Sequence, residues 1–362
     1  MSNFTKEEIL EIYNKPLMEL VFEAAQVHRK YHDPKKVQVS TLISIKTGGC
    51  PEDCGYCPQA ARYHTDIEKN ELLPYNMVIA LAQNAKKNGS SRVCMGAAWR
   101  NVKEGEDFEN VLKMVEGISD LNMEVCCTLG MITESQAVRL AKAGLHYYNH
   151  NLDTSEEYYK EVISTRGYDD RLKTLDNVRK GSLKVCSGGI IGMGESTQDR
   201  VGMLYSLSKL NPQPESVPIN ALVPVEGTPM AEEKIIPTWD VIRMIATTRI
   251  VIPKTTVRLS AGRTEMNTEA QALCFMAGAS SIFAGEKLLT TPNPGEDKDA
   301  EMFANLGLVP TEVKKDNKGK FKIRKSLLNN EDIERWSRPG HPIEQNIRAT
   351  EKAKVLRKEM KS

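Results

Sequence analysis

Of 362 residues, 40% are apolar and 27% are charged, with Lys+Arg 49 against Asp+Glu 48 and a formal net charge of +1. That balance fits a globular chain with a sizeable core, and it supplies no field that would favour nucleic acid or an acidic membrane surface. Residues 1–15 lack the apolar stretch of a secretory signal, and no run approaches the roughly 20 apolar residues of a membrane helix, so a cytoplasmic protein is expected.

The N-terminal segment, 1–36, reads as helical. Thr5 with Glu8 forms a capping box. Leu17, Leu20, Val21, Ala24, Ala25 and Val27 follow as one apolar stripe at helical spacing, and Pro16 divides the segment in two. From residue 37 the chain alternates. Short β-rich runs fall at 37–45, 91–96, 122–129, 145–152, 183–191, 216–223, 255–260 and 280–284, with helix-like stretches between them, such as Met77–Asn88, Asp107–Leu121 and Pro237–Val251. Eight strands alternating with helices predict an α/β fold, a (β/α)8 barrel of the TIM type over residues 37–310. A doubly wound open sheet is the alternative. Residues 311–362 form a basic C-terminal extension, read as a solvated and partly disordered tail in which Ala349–Met360 has the pattern of an amphipathic helix.

A reducing compartment disfavours disulfides, so clustered cysteines there point to metal or chemistry. Cys50, Cys54 and Cys57 lie within eight residues, on a loop after the first strand and behind Gly48 and Gly49. Thiolates so placed suit an iron–sulfur cluster or zinc. A structural zinc site wants a fourth ligand, and His64 is the local candidate. Cys94, Cys126, Cys186 and Arg258 fall near the ends of the second, third, fifth and seventh strands, where a barrel carries its active face. Alternation along a strand separates the adjacent pair at 126–127. Cys126 shares the inward face with Glu124 and Thr128, while Cys127 faces outward with Val125 and Leu129. Arg92 lies on the face of Cys94, and Cys274 sits in a helical run as a core residue. Gly188, Gly189, Gly192 and Gly194 fail the dinucleotide-binding pattern, because Thr197 takes the last glycine position.

CxxxCxxC with an aromatic before the third cysteine resembles the signature of radical S-adenosylmethionine (SAM) enzymes. The runs RVCMGAAW (92–99), YYNHNLDTS (147–155), KVCSGGIIGMGE (184–195), VRLSAGR (257–263) and LLTTPNPGEDKD (288–299) resemble the biotin synthase family in particular, over residues 5–310. The resemblance implies a 4Fe–4S cluster on Cys50, Cys54 and Cys57, whose open iron binds SAM. It further implies a 2Fe–2S cluster on Cys94, Cys126, Cys186 and Arg258 that supplies sulfur as dethiobiotin becomes biotin. Tyr56, Asn151, Asp153, Gly192 and Glu195 are then expected at the SAM site, and Asn149 and Asn220 around the substrate ring. A homodimer, a flavodoxin- or ferredoxin-type electron donor and a cluster-assembly system are the implied partners. Cys127 departs from the family pattern. Other sulfur-inserting radical SAM families carry a further upstream cysteine triplet, and no cysteine precedes Cys50.

Overall fold

The computed structural model describes residues 4–285 and 287–312. The extension beyond residue 312, with its expected helix, lies outside the described residues. The N-terminal segment forms two helices, α1 (Lys6–Asn14) and α2 (Leu17–Tyr31), divided at Pro16. The Thr5 hydroxyl accepts from Glu8 N, and the Glu8 carboxylate accepts from Thr5 N, completing the box.

Eight parallel staves then close a barrel. They are β1 (Lys36–Lys46), β2 (Arg92–Ala97), β3 (Glu124–Thr128), β4 (Tyr147–Asn149), the pair β5 (Lys184–Cys186) and β6 (Gly189–Ile191), β7 (Ser216–Ala221), β8 (Thr256–Leu259) and β9 (Ser281–Ala284). β1 pairs with β2 on one side and β9 on the other, which closes the sheet and leaves no edge strand among the staves. Helices α3 (Tyr75–Lys87), α4 (Glu106–Ser119), α5 (Glu134–Lys142), α6 (Tyr159–Val162), α7 (Tyr168–Lys180), α8 (Thr197–Lys209), α9 (Thr238–Val251) and α10 (Thr268–Met276) connect the staves. α11 (Glu296–Leu306) leads to β10 (Val309–Pro310), which pairs with the first residues of β1.

The fifth predicted strand, 183–191, is interrupted, a correction with a local cause. Pairing with β7 runs Cys186↔Ser216 and resumes at Gly189↔Ile219, so the register is kept across the gap. Pro218, opposite the gap, has no N–H to give the ladder. A Cβ at Gly188 would stand 2.0 Å from Pro218 O, and one at Gly189 2.4 Å from Asp153 O, so only glycines admit this approach.

Side-chain alternation sorts the interior. Val93, Met95, Val125, Cys127, Tyr148, Val217 and Leu259 point outward into the large core beneath the helices. Cys94, Cys126, Tyr147, Cys186, Phe283 and Leu288 form a separate cluster inside the barrel.

Candidate active site

The loop after β1 is shaped by two successive glycines in the left-handed region, Gly48 and Gly49, both at φ 71°. It folds back on itself through Cys50 N to Gln59 O at 2.9 Å and Ala61 N to Cys50 O at 2.7 Å. Asp53 pins it to the segment before α7. Its carboxylate accepts from Ser164 N (3.0 Å), Thr165 N (3.1 Å) and Thr165 Oγ1 (2.9 Å). Burial pulls the Asp53 pKa up, but these donors outweigh it and hold the carboxyl down at about 2.

The loop hangs Cys50, Cys54 and Cys57 on one wall of a chamber of about 330 Å³ that opens at the C-terminal ends of the strands. Burial pushes the Cys54 thiol up to about 11 and Cys57 up to about 12, and raises Cys50. Such thiols become ligands only when a metal's own charge reverses that preference. Arg166 Nη2 lies 3.9 Å from Cys54 Sγ and adds positive charge. All eight cysteines are free. Among the described residues, no three His, Cys, Asp or Glu side chains are grouped to hold a single metal ion. Three thiols on one wall, facing open space, suit a multi-iron cluster with one iron left for a further ligand.

Below lies the second set. Register places Leu42 beside Cys94, Cys94 beside Cys126, and Asn149 beside Cys186. Cys94, Cys126 and Arg258 line the chamber, and Cys186 stands just behind its wall, fully buried. Cys186 ends β5, as the strand-end expectation has it, whereas Cys94 and Cys126 sit deeper. Cys94 and Cys126 are in the middle of their strands, and Thr128, Asn149 and Asn220 rise above them, because the strands continue further toward the mouth than the cysteines do. Cys126 lies against Cys94 and Cys186, and sharing of a thiol proton among them raises Cys126 and lowers the other two, with the nearby guanidinium of Arg258 assisting. Arg258 donates from Nε to Ser281 Oγ (3.0 Å) and from Nη2 to Ser40 Oγ (3.2 Å), above the Phe283 ring at 4.4 Å. It is 1% exposed, and among the described residues no carboxylate pairs with it. Its positive charge is thus available to the thiols.

Between the two cysteine sets run the polar groups. Tyr56 donates to Asp153 Oδ2 at 2.9 Å, and Arg171 donates to the same oxygen. Arg171 also donates to Asn151 O (2.8 Å) and Tyr159 Oη (2.9 Å). Asp153 holds φ at 69°, a left-handed conformation that turns its carboxylate from the β4 line toward Tyr56. Asn151 Oδ1 accepts from Asn149 Nδ2 (3.0 Å) and Gly188 N (3.2 Å). Asn149 Nδ2 reaches Cys186 Sγ at 3.4 Å, and Asn220 donates to Gly189 O at 2.9 Å.

Two expected site residues are not brought to this chamber. Gly192 and Glu195 lie outside its lining. The Glu195 carboxylate is engaged by Gly192 N, Met193 N and Arg200 Nε, where it closes the turn before α8. The sequence reading also passed over Arg171, Arg166, Glu52 and Trp99, which do line the chamber. Arg171 left a trace: it occupies the buried face of α7 with Tyr168, Thr174 and Leu175, where an arginine has no place unless something pairs with it.

The family model of the radical SAM superfamily matches residues 44–207, and that of the biotin and thiamin synthesis associated domain matches residues 218–309. A protein of Christiangramia forsetii named biotin synthase is 67% identical over 356 residues, 98% of each chain. One of Flavobacterium johnsoniae, with the same name, is 65% identical and again covers 98% of each. The likeness therefore runs past residue 310, where the motifs alone had ended it, and takes in most of the extension. A crystal structure of methylornithine synthase superposes with a TM-score of 0.72 at 16% identity, covering 85% of this chain and 94% of that one, a likeness of fold.

Proposed function

This chain belongs to the biotin synthase family of radical SAM enzymes, which convert dethiobiotin to biotin by inserting sulfur, and we propose that its two cysteine sets divide that work. Cys50, Cys54 and Cys57 would hold the SAM-cleaving 4Fe–4S cluster, and Cys94, Cys126, Cys186 and Arg258 the sulfur-donating 2Fe–2S cluster. When bound, those groups supply the electron that cleaves SAM, the hydrogen-abstracting radical that results, and the sulfur. The observation that carries the reading is that one chamber presents Cys50, Cys54 and Cys57 at its mouth and Cys94, Cys126 and Arg258 at its floor, with Cys186 just behind its wall and amides and a carboxylate between.

The protein's own residues position and seclude. Asp153, held by Tyr56 and Arg171, offers a fixed carboxylate to the hydroxyls of a SAM ribose, with Asn151 beside it. Asn149 and Asn220 present amides to a ureido ring directly above Cys186 and Cys126. Leu288, Leu289 and Trp99 wall the chamber with apolar surface and keep water from a reactive radical. Gly192 and Glu195 serve the SAM site only at a distance, by setting the turn after β6. No acid–base pair is needed, because a polar side chain cannot abstract hydrogen from an unactivated carbon.

A cytoplasmic setting suits this chemistry, and among the described residues no helix is long and apolar enough to cross a membrane. The electron would come from a flavodoxin- or ferredoxin-type donor, and the clusters from an assembly system. A homodimer has material in the exposed Met18, Phe22 and Trp239. Metal and sulfide analysis after anaerobic purification tests the whole reading. Iron with acid-labile sulfide, plus 5′-deoxyadenosine formation that disappears in Cys50→Ala, Cys54→Ala and Cys57→Ala, is the expected result. Zinc without sulfide would overturn it.

A further inference from the structure

Among the described residues, which end at Glu312 on its rim, the barrel has a second opening at the end away from the Cys50–Cys57 loop. A cavity of about 260 Å³ lies under the N-terminal ends of β1 to β4, lined by Gln38, Ser91, Ser119, Asn122, Glu124 and His146 among others. Gln38 is the third residue of β1, Glu124 the first of β3, and His146 stands just before β4. Branched apolar side chains usually fill this end of such a barrel, where residues serve stability. Here the filling is polar.

Glu124 joins the cavity to the interior. Its Oε2 accepts from Gln38 Nε2 (2.8 Å), Arg92 Nε (3.1 Å) and Arg92 Nη2 (2.9 Å). The Glu124 side chain keeps 22% of its surface exposed, whereas its Arg92 partner keeps 1%. Gln38 Oε1 in turn faces Arg258 Nη2 at 3.5 Å. Arg92 lies flat on the Tyr147 ring, 3.7 Å from its centroid, and its Nη1 is buried with no partner among the described residues. Cys94 and Cys126 follow Arg92 and Glu124 by two residues on the same strand faces, a rise of about 7 Å. A single layer of hydrogen-bonded side chains therefore separates the cavity from the thiols.

A cluster that gives up its sulfur must be refilled, and the upper chamber is the one that SAM and dethiobiotin enter. We propose that the cavity under the barrel is the entry site for ferrous iron and hydrosulfide when the cluster on Cys94, Cys126 and Cys186 is rebuilt, and that Gln38, Glu124 and Arg92 form the gate they pass. Two ferrous ions and two hydrosulfides give the 2Fe–2S core by releasing the hydrosulfide and thiol protons and passing two electrons to an external one-electron acceptor. The inference rests on the cluster assignment above. Carboxylate and imidazole at the mouth suit a ferrous ion in transit. The two guanidiniums behind them, Arg92 and Arg258, draw the hydrosulfide anion inward.

The test loads the full-length, cluster-free chain under argon with ferrous iron, sulfide and ferricyanide as the one-electron acceptor, and follows each cluster separately by Mössbauer spectroscopy. Ser119→Trp narrows the mouth without touching a cysteine, and Gln38→Ala removes one bond of the gate. Ser119→Trp should slow 2Fe–2S assembly several-fold, and Gln38→Ala should quicken it, while the 4Fe–4S cluster at the opposite end fills at the wild-type rate in both. Unchanged 2Fe–2S rates in both variants would overturn the entry site. Should Ser119→Trp fail to fold, Gln38→Ala alone decides, since a wild-type rate there removes the gate. A wild-type chain that takes up only the 4Fe–4S cluster would instead overturn the assignment of Cys94, Cys126 and Cys186, and the entry site with it.

Discussion

Lowering the pH from 7.5 to 5.5 should cost this protein stability through His28, a residue remote from the chamber. His28 is 1% exposed on α2, and neither ring nitrogen has a hydrogen-bond partner among the described residues. Burial, then the charges of Arg249 on α9 and of His32 and Arg29 on α2, hold its pKa down at about 3, with Asp33 offsetting a little. Arg249 is fully buried against Gly278 O and Thr255 O, and its Nη1 meets His32 Nε2 at 2.7 Å, so a proton on His28 would face a fixed cation. Because the folded pKa lies below the unfolded value, the stabilising contribution is complete above about pH 6.5 and is lost as pH falls toward 3. At pH 5.5 the unfolded chain binds a proton that the folded one refuses, a loss of about 1.4 kcal/mol, or tenfold in the folding equilibrium. Urea denaturation of wild type and His28→Leu, each at pH 7.5 and 5.5, measures it. Leucine suits a buried helical site and does not titrate, so its pH-dependent loss should be smaller than that of the wild type by about that 1.4 kcal/mol. His32 and His150 are also held low by burial, so the variant keeps part of the slope. Equal slopes in the two proteins would refute the reasoning.

The adjacent cysteines should separate cleanly. Cys126→Ala should lose the 2Fe–2S absorbance, and Cys127→Ala should keep it; the reverse would mean that the thiol on the helix-facing side binds iron. Arg258→Met should still assemble a 2Fe–2S cluster, with altered spectrum or lifetime, since a guanidinium is a reluctant ligand that leaves three thiolates in place; absorbance and sulfide content as empty as in Cys186→Ala would count against that. Arg171→Met leaves Asp153 buried without its cation, and breaking such a pair costs about 3–5 kcal/mol, so the melting temperature should drop and SAM binding by calorimetry should weaken. A variant with wild-type melting and SAM affinity would show that Asp153 does not depend on Arg171.

The loop cysteines were legible because their spacing needs no fold to interpret: three thiols within eight residues must meet wherever the loop goes. The inward Cys126 and outward Cys127 were legible for a related reason, since alternation in a strand is a local property. Depth was not. Cys94 and Cys126 lie mid-strand because the strands extend toward the mouth, and only pairing with neighbours sets where each strand begins. Gly192 and Glu195 were expected at the SAM site from the family resemblance, whereas in the fold they lie outside the chamber lining and Glu195 accepts from its own turn.

The sequence by itself determined the alternation of eight strands with helices, the split at Pro16, the two cysteine sets and the faces they occupy, because periodicity, proline geometry and short spacings act over a few residues. Tertiary structure alone decided which distant groups meet. Asp153 finds Arg171 across 18 positions of chain that include α6, and Gln38 finds Glu124 across 86. Such encounters arise when a closed sheet brings staves that are distant in sequence, such as the first and third, around one axis, and no local rule of sequence encodes that closure.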